Sequence, residues 1–180
     1  MNATGADPMS MVERAIASLP KWRRWWAEWS FQKRAPGWGA ILSAYASVDL
    51  VVCGRFETPA SDWQPGLLVA TDRSLLFLWF YMNPIDLSAG RYDLGAEAVN
   101  TAVPDLGIWE TSYASIASSA TEPGWFDAKR LIFQIGPYRR AVFGVSPRSG
   151  AAPFAALVQS RLTPQSPPDG GDPSPPPPPP

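Results

Sequence analysis

The stretch Gly66 to Phe80, GLLVATDRSLLFLWF, constrains this chain more than any other feature. Two strongly apolar runs are separated only by the polar Thr71-Asp72-Arg73-Ser74. The runs are too short for helices and rich in Leu, Val and aromatic residues, so the reading is a buried β-hairpin closed by a tight turn. A second hairpin has the same form: KRLIFQI from Lys129, the turn GPYR, then RAVFGVS from Arg140. The run VDLVVCGRF from Val48 is a strand candidate ahead of the first hairpin. WETSYASIASSATE, with Tyr113 and Ile116 as inward residues, is another between the two.

Helical spacing dominates both ends. Val12, Ile16 and Leu19 keep it before Pro20, and Trp22, Trp25, Trp26 and Trp29 keep it afterwards, so residues 9–47 read as a Trp/Arg-rich helical extension. Ala35 to Gly39, APGWG, reads as a breaker, with AILSAYAS as a further short helix. Near the other end Phe154, Leu157, Val158 and Leu162 share one helical face. Residues 82–107 carry neither period and read as a long insertion. Residues 1–8 and the proline-rich tail 163–180 are expected to be disordered.

The order of strand, polar loop, hairpin, Y-x-x-I strand, second hairpin and C-terminal helix resembles the bacterial pleckstrin-homology-like domains of PH and GRAM type. In those domains the second and third strands often read as a glycine, apolar residues and T-[DN]-x-R-L-[LI]-F. Gly66, Thr71, Asp72, Leu75, Leu76 and Phe77 follow that pattern, whereas Arg73 and Ser74 depart from it because the basic residue stands one place early. The likeness covers residues 48–162 and implies a mainly β fold: a bent, seven-stranded antiparallel β-barrel capped by a C-terminal helix. It implies a binding role rather than an enzymatic one. On this reading Val69, Phe77, Phe133 and Val142 are buried in one barrel.

Composition removes much chemistry. With no histidine and Cys53 as the only cysteine, the chain can form no internal disulfide, Cys/His metal site or imidazole-assisted nucleophile. Cys53, inside an apolar run, reads as a small buried hydrophobe. Ser18–Lys21 and Ser30–Lys33 match S-x-x-K but lack the companion motifs of the serine–lysine enzymes. GWGAIL falls short of a dinucleotide fingerprint, and Asp93 and Glu97 are the only tidy pair of acids. No catalytic residue, cofactor or metal is expected. No secretory signal or membrane span is visible, and the abundance of Arg and Pro resembles a GC-rich bacterial genome, so the expected location is the cytoplasm or the inner face of its membrane.

Charge is unevenly divided along the chain. Residues 1–34 hold six basic and three acidic groups, 35–128 three and eleven, and 129–161 six and none. A uniform nucleic-acid footprint is absent, and no nucleic-acid partner is expected. The loop ETPASDWQP after the first strand has no cation and Arg55 stands alone beside it, so the usual head-group pocket of lipid-binding PH domains is missing. Two candidate surfaces follow. The first is Trp22, Arg23, Arg24, Trp25, Trp26 and Trp29, which needs cover from a protein partner, a second copy or an anionic membrane. The second is an anion patch of Lys129, Arg130, Arg139 and Arg140, expected to be brought together by hairpin pairing. A protein partner or self-association is the first expectation, and peripheral membrane binding is the alternative.

Overall fold

The computed structural model describes residues 7–57, 63–80, 108–124, 129–137, 139–145 and 148–162. The expected insertion at 82–107 and the tail at 163–180 lie outside these. Helices α1 (Pro8–Ala17) and α2 (Lys21–Leu42) lead into strands β1 (Val48–Glu57), β2 (Trp63–Thr71) and β3 (Ser74–Trp79). Strand β4 (Ile108–Ser112), a 3-10 turn (Tyr113–Ser115), β5 (Ile116–Pro123), β6 (Lys129–Ile135) and β7 (Arg139–Val145) follow, and helix α3 (Arg148–Leu162) is the last described element.

The seven strands of the described residues form one antiparallel sheet in the order β4-β3-β2-β1-β7-β6-β5. Strand number, sense and C-terminal helix agree with the pleckstrin-homology-like expectation. The barrel, however, is not closed: β4 and β5 are the two edges of the ladder. They are consecutive in the chain, joined only by the 3-10 turn, whose ends are tied across the gap. Tyr113 N–H donates to the Arg73 carbonyl at 3.3 Å and Gly136 N–H to the Ser115 carbonyl at 3.1 Å.

The concave face of the sheet holds an aromatic core. The Phe143 ring lies 5.2 Å from Phe56, 5.4 Å from Phe77, 5.3 Å from Trp109 and 5.8 Å from Phe133, centroid to centroid. Helix α3 closes this core with Ala151, Phe154 and Val158, all fully buried, while Leu157 and Leu162 pack at its margin. The four apolar residues expected on one helical face thus all serve as the plug.

The convex face is equally buried over β1–β3. Val51, Cys53, Leu67, Val69, Leu76 and Leu78 point outward and pack under Val12, Ile16 and Leu19 of α1 and Ala27, Trp38 and Leu42 of α2. This is why the first hairpin is apolar without alternation: every residue of β3 is buried, on one face or the other. Val69 therefore belongs not to the concave core with Phe77 and Phe133 but to the opposite face, one step of strand alternation away.

Two local expectations change with that packing. The Ala35–Gly39 segment does not break the helix, because α2 runs through Pro36 to Leu42. A mid-helix proline costs about 3 kcal/mol. Against it stands Trp38, completely buried with its ring 5.9 Å from Phe80 and 6.1 Å from Phe31. AILSAYAS accordingly supplies the last turn of α2 rather than a separate helix. At the other end, α1 starts at Pro8, capped by the Asp7 carboxylate, which accepts from Ser10 N–H at 2.9 Å.

The polar turn of the first hairpin is a junction. Thr71 Oγ1 accepts from Ser74 N–H at 3.0 Å and donates to the Ser74 carbonyl at 2.8 Å. Tyr113 donates its hydroxyl to the Thr71 carbonyl at 3.1 Å. Asp72 N–H donates to the Ser47 carbonyl at 3.2 Å, and the Arg73 guanidinium sits 4.8 Å over the Tyr45 ring. The turn thus fixes the entry of β1, the end of α2 and the edge-to-edge 3-10 turn together.

Gly66 is required where it stands. A Cβ there would meet the Phe77 ring at 2.6 Å and collide with the Leu78 carbonyl oxygen. Gly66→Ala should cost about 3 kcal/mol of stability in urea unfolding, through overpacking in a two-sided core. Burial, the leading cause in each case, pushes Tyr45, Tyr113 and Cys53 up to about 12 from ordinary values of 10, 10 and 9. The folded state holds these protons to higher pH than the unfolded one, so their stabilisation is complete below pH 9 and disappears as pH rises to about 12. Urea midpoints should fall across that window, and Tyr113→Phe should flatten part of the fall while costing about 1 kcal/mol at neutral pH.

Candidate functional site

Helix α2 has a buried face and an exposed one, and its packing decides which tryptophans are available. Ala27, Trp38 and Leu42 pack into the convex core, and Ser30 is also buried. With 3.6 residues per turn, Trp22, Trp25 and Trp29 fall within about 60° of one another on the opposite side. Trp22 and Trp25 are each 72% exposed and Trp29 is 47% exposed, the exposed large hydrophobics among the described residues.

Trp26 leaves the expected group. It lies at the boundary of the two faces and turns inward, edge-on to Phe80 at 5.9 Å. Arg24 is also committed to the fold, with its Nη2 donating to the Leu19 carbonyl at 3.0 Å and its Nε to the same oxygen at 3.3 Å. It therefore staples the end of α1 to the start of α2.

Two cations are held over the exposed rings: the Arg23 guanidinium at 4.5 Å from the Trp22 centroid and the Lys33 ammonium at 3.7 Å from that of Trp29. Lys33 is not among the residues expected at this surface from sequence, although its i, i+4 spacing from Trp29 carries the signal. In all, α2 contains five basic residues (Lys21, Arg23, Arg24, Lys33, Arg34) and one acid, Glu28. The result is a convex apolar ridge rimmed by positive charge.

The second expected surface does not assemble. In the β6–β7 ladder Lys129 pairs with Val145 and Arg139 with Ile135, so the two basic pairs stand at opposite ends of the hairpin, about 20 Å apart. Antiparallel pairing sets the start of one strand against the end of the other, which is why hairpin formation separates them. Arg130 is in addition neutralised, 2.7 Å from Glu57 and 3.4 Å from Glu122. Arg140 is exposed at the turn end of the ladder, opposite Gln134.

No helix among the described residues is long and apolar enough to cross a membrane. No protein-family model matches the chain, and no curated protein matches it in sequence. Among solved structures it is similar to the C-terminal domain of an unknown protein from Leishmania infantum, with 14% identity and a TM-score of 0.40 over 76% of this chain and 98% of that one. It is also similar to the DH/PH domains of p115-RhoGEF, with 9% identity and a TM-score of 0.40 over 90% of this chain and 43% of that one.

The division of the tryptophans is open to direct measurement. Trp22→Ser and Trp25→Ser should each change unfolding stability by no more than about 0.5 kcal/mol. Trp38→Ala should cost about 3–5 kcal/mol. Equal losses at the exposed and buried positions would mean that the outer face of α2 is itself covered in solution.

Proposed function

We propose that this chain is a non-catalytic binding module that docks on an anionic membrane surface through the outer face of α2. The observation that carries this reading is the ridge of Trp22, Trp25 and Trp29 with Arg23 and Lys33 lying over its rings. Three such rings, each losing on the order of 100 Å² to an interface, represent a gross gain of roughly 7 kcal/mol. Tryptophan beside arginine or lysine suits the zone between lipid head groups and acyl chains, where a ring is buried while a cation stays wet.

From sequence alone a protein partner or a second copy comes first. We place the membrane first because of the shape of the ridge. A helix packed lengthwise on a sheet presents its outer face as a convex ridge, which a fluid interface accepts without a matching groove. Arg23 and Lys33, held over the exposed rings, add attraction to anionic lipid specifically.

Point substitutions are the appropriate test, since truncating the chain at Ala35 would strip Val12, Ile16, Leu19 and Ala27 from the convex core. Intact protein should sediment with vesicles containing phosphatidylserine, less so as salt rises, and not with neutral vesicles. The triple variant W22S/W25S/W29S should bind at least about tenfold more weakly while unfolding like the parent. Undiminished sedimentation of the triple variant would overturn the reading. So would failure of the parent to sediment; a concentration-dependent mass that the same substitutions abolish would then identify a second copy as the occupant.

A further inference from the structure

The end of α3 is tied to the segment that follows α2. Arg161 Nη2 lies 2.7 Å from Asp49 Oδ2, and the Ser47 hydroxyl donates to the other Asp49 oxygen at 2.7 Å. Ser47 and Ala44 both meet the turn of the first hairpin. Asp72 N–H donates to the Ser47 carbonyl at 3.2 Å, and the Arg73 guanidinium to the Ala44 carbonyl at 3.5 Å. Ala44 in turn finishes α2, its N–H donating to the Ile41 carbonyl at 3.0 Å. The chain therefore leaves Leu162 beside the C-terminal end of the helix that carries the exposed tryptophans.

From that end, Trp29 stands about 20 Å back along the α2 axis and Trp22 about 30 Å. Residues 163–174 span at most about 40 Å when fully extended. A coil of that length has a root-mean-square reach of roughly 20 Å. Tethering is most effective where reach matches the span to be crossed, as it does here for Trp29.

After residue 174 come six consecutive prolines, Pro175–Pro180. Consecutive prolines favour polyproline II, which repeats a face every third residue, about 9 Å, and loses little entropy on docking. Trp22 and Trp29 are about 10 Å apart along α2 and within about 20° of one another around it, with Trp25 between them. Prolines three apart thus match the spacing of the two outer indoles. An indole N–H is a donor only, and a prolyl carbonyl is an acceptor without an N–H of its own beside it. Charge is complementary as well: residues 163–180 hold Asp169 and Asp172 and no base, against Arg23 and Lys33 over the rings.

We propose that residues 163–180 dock on the outer face of α2 of their own chain, with Pro175–Pro180 laid across Trp29, Trp25 and Trp22. The direction of approach agrees with the charges. A segment arriving from the C-terminal end of α2 passes Lys33 before Trp29, which brings Asp172, shortly ahead of Pro175, to the Lys33 ammonium. A convex ridge gives a separate peptide little to grip, and the tether compensates with a local concentration on the order of millimolar. The chain thereby covers its own apolar ridge until a stronger ligand displaces the segment. As control of lipid docking this rests on the membrane reading above; the contact itself does not.

Acrylamide quenching of tryptophan emission in the full chain tests the contact. A variant with Pro175–Pro180 all replaced by serine should quench more steeply than the parent. The same replacement made in W22S/W25S/W29S should leave the slope unchanged. Equal slopes for the parent and the serine variant would overturn the proposal, as would an increase of the same size without the three tryptophans. The difference should survive dilution; its loss on dilution would assign the segment to a second copy and overturn docking within one chain. Vesicles then separate this contact from the membrane reading. Where both hold, the serine variant should sediment with phosphatidylserine vesicles about two- to fivefold more strongly, as for a ridge covered about half to four-fifths of the time in the parent. A quenching difference with no sedimentation of either chain keeps the contact and overturns the docking reading. Sedimentation with equal quenching does the reverse.

Discussion

The structure depends on the burial of β2 and β3 from both sides. An antiparallel hairpin ordinarily turns one face to a core and the other to water, and its sequence alternates accordingly. Here Leu68 and Phe77 face the aromatic core while Val69 and Leu76 face the N-terminal helices, and all four are fully excluded from solvent. The helices are therefore not an appendage to a finished domain. Without α1 and α2 the outward residues Val51, Leu67, Val69, Leu76 and Leu78 would form a contiguous apolar patch that few folded chains tolerate.

This constraint also fixes the functional face. Ala27, Trp38 and Leu42 must be directed at the sheet to cover it, and once they are, helical geometry leaves Trp22, Trp25 and Trp29 on the far side. The exposed ridge follows from the packing of the buried one. Arg24 holds the phase of the helix by anchoring its first turn to the Leu19 carbonyl, so the orientation of the ridge is set within one turn of its first tryptophan.

Much of the strand content was legible because turn chemistry and apolar runs are local signals. The two hairpins, the β1 strand, the Tyr113 and Ile116 positions and the α3 plug were all readable from residue type and period. What was not legible depended on contacts distant in sequence. Ala35–Gly39 has the composition of a breaker, and contacts distant in sequence, Phe80 some forty residues away among them, make Trp38 worth burying in a helix there. Trp26 is chemically the same as Trp25 and differs by a 100° step around the axis, a difference that acquires meaning only when the position of the sheet is known. The open edge between β4 and β5 was likewise invisible, since nothing in either strand records whether its ladder closes.

Charge shows the same dependence on register. Read along the chain, Lys129, Arg130, Arg139 and Arg140 are the dense basic cluster and Arg55 is an isolated cation. Read across the sheet, the cluster divides into two ends of a hairpin and Arg130 is matched by Glu57 and Glu122. Arg55, by contrast, stays exposed and has no carboxylate partner among the described residues. What an anion meets is the charge left after pairing, and here pairing removes Arg130 from the stretch where the sequence is most basic and leaves Arg55, the lone cation of β1, unmatched among the described residues.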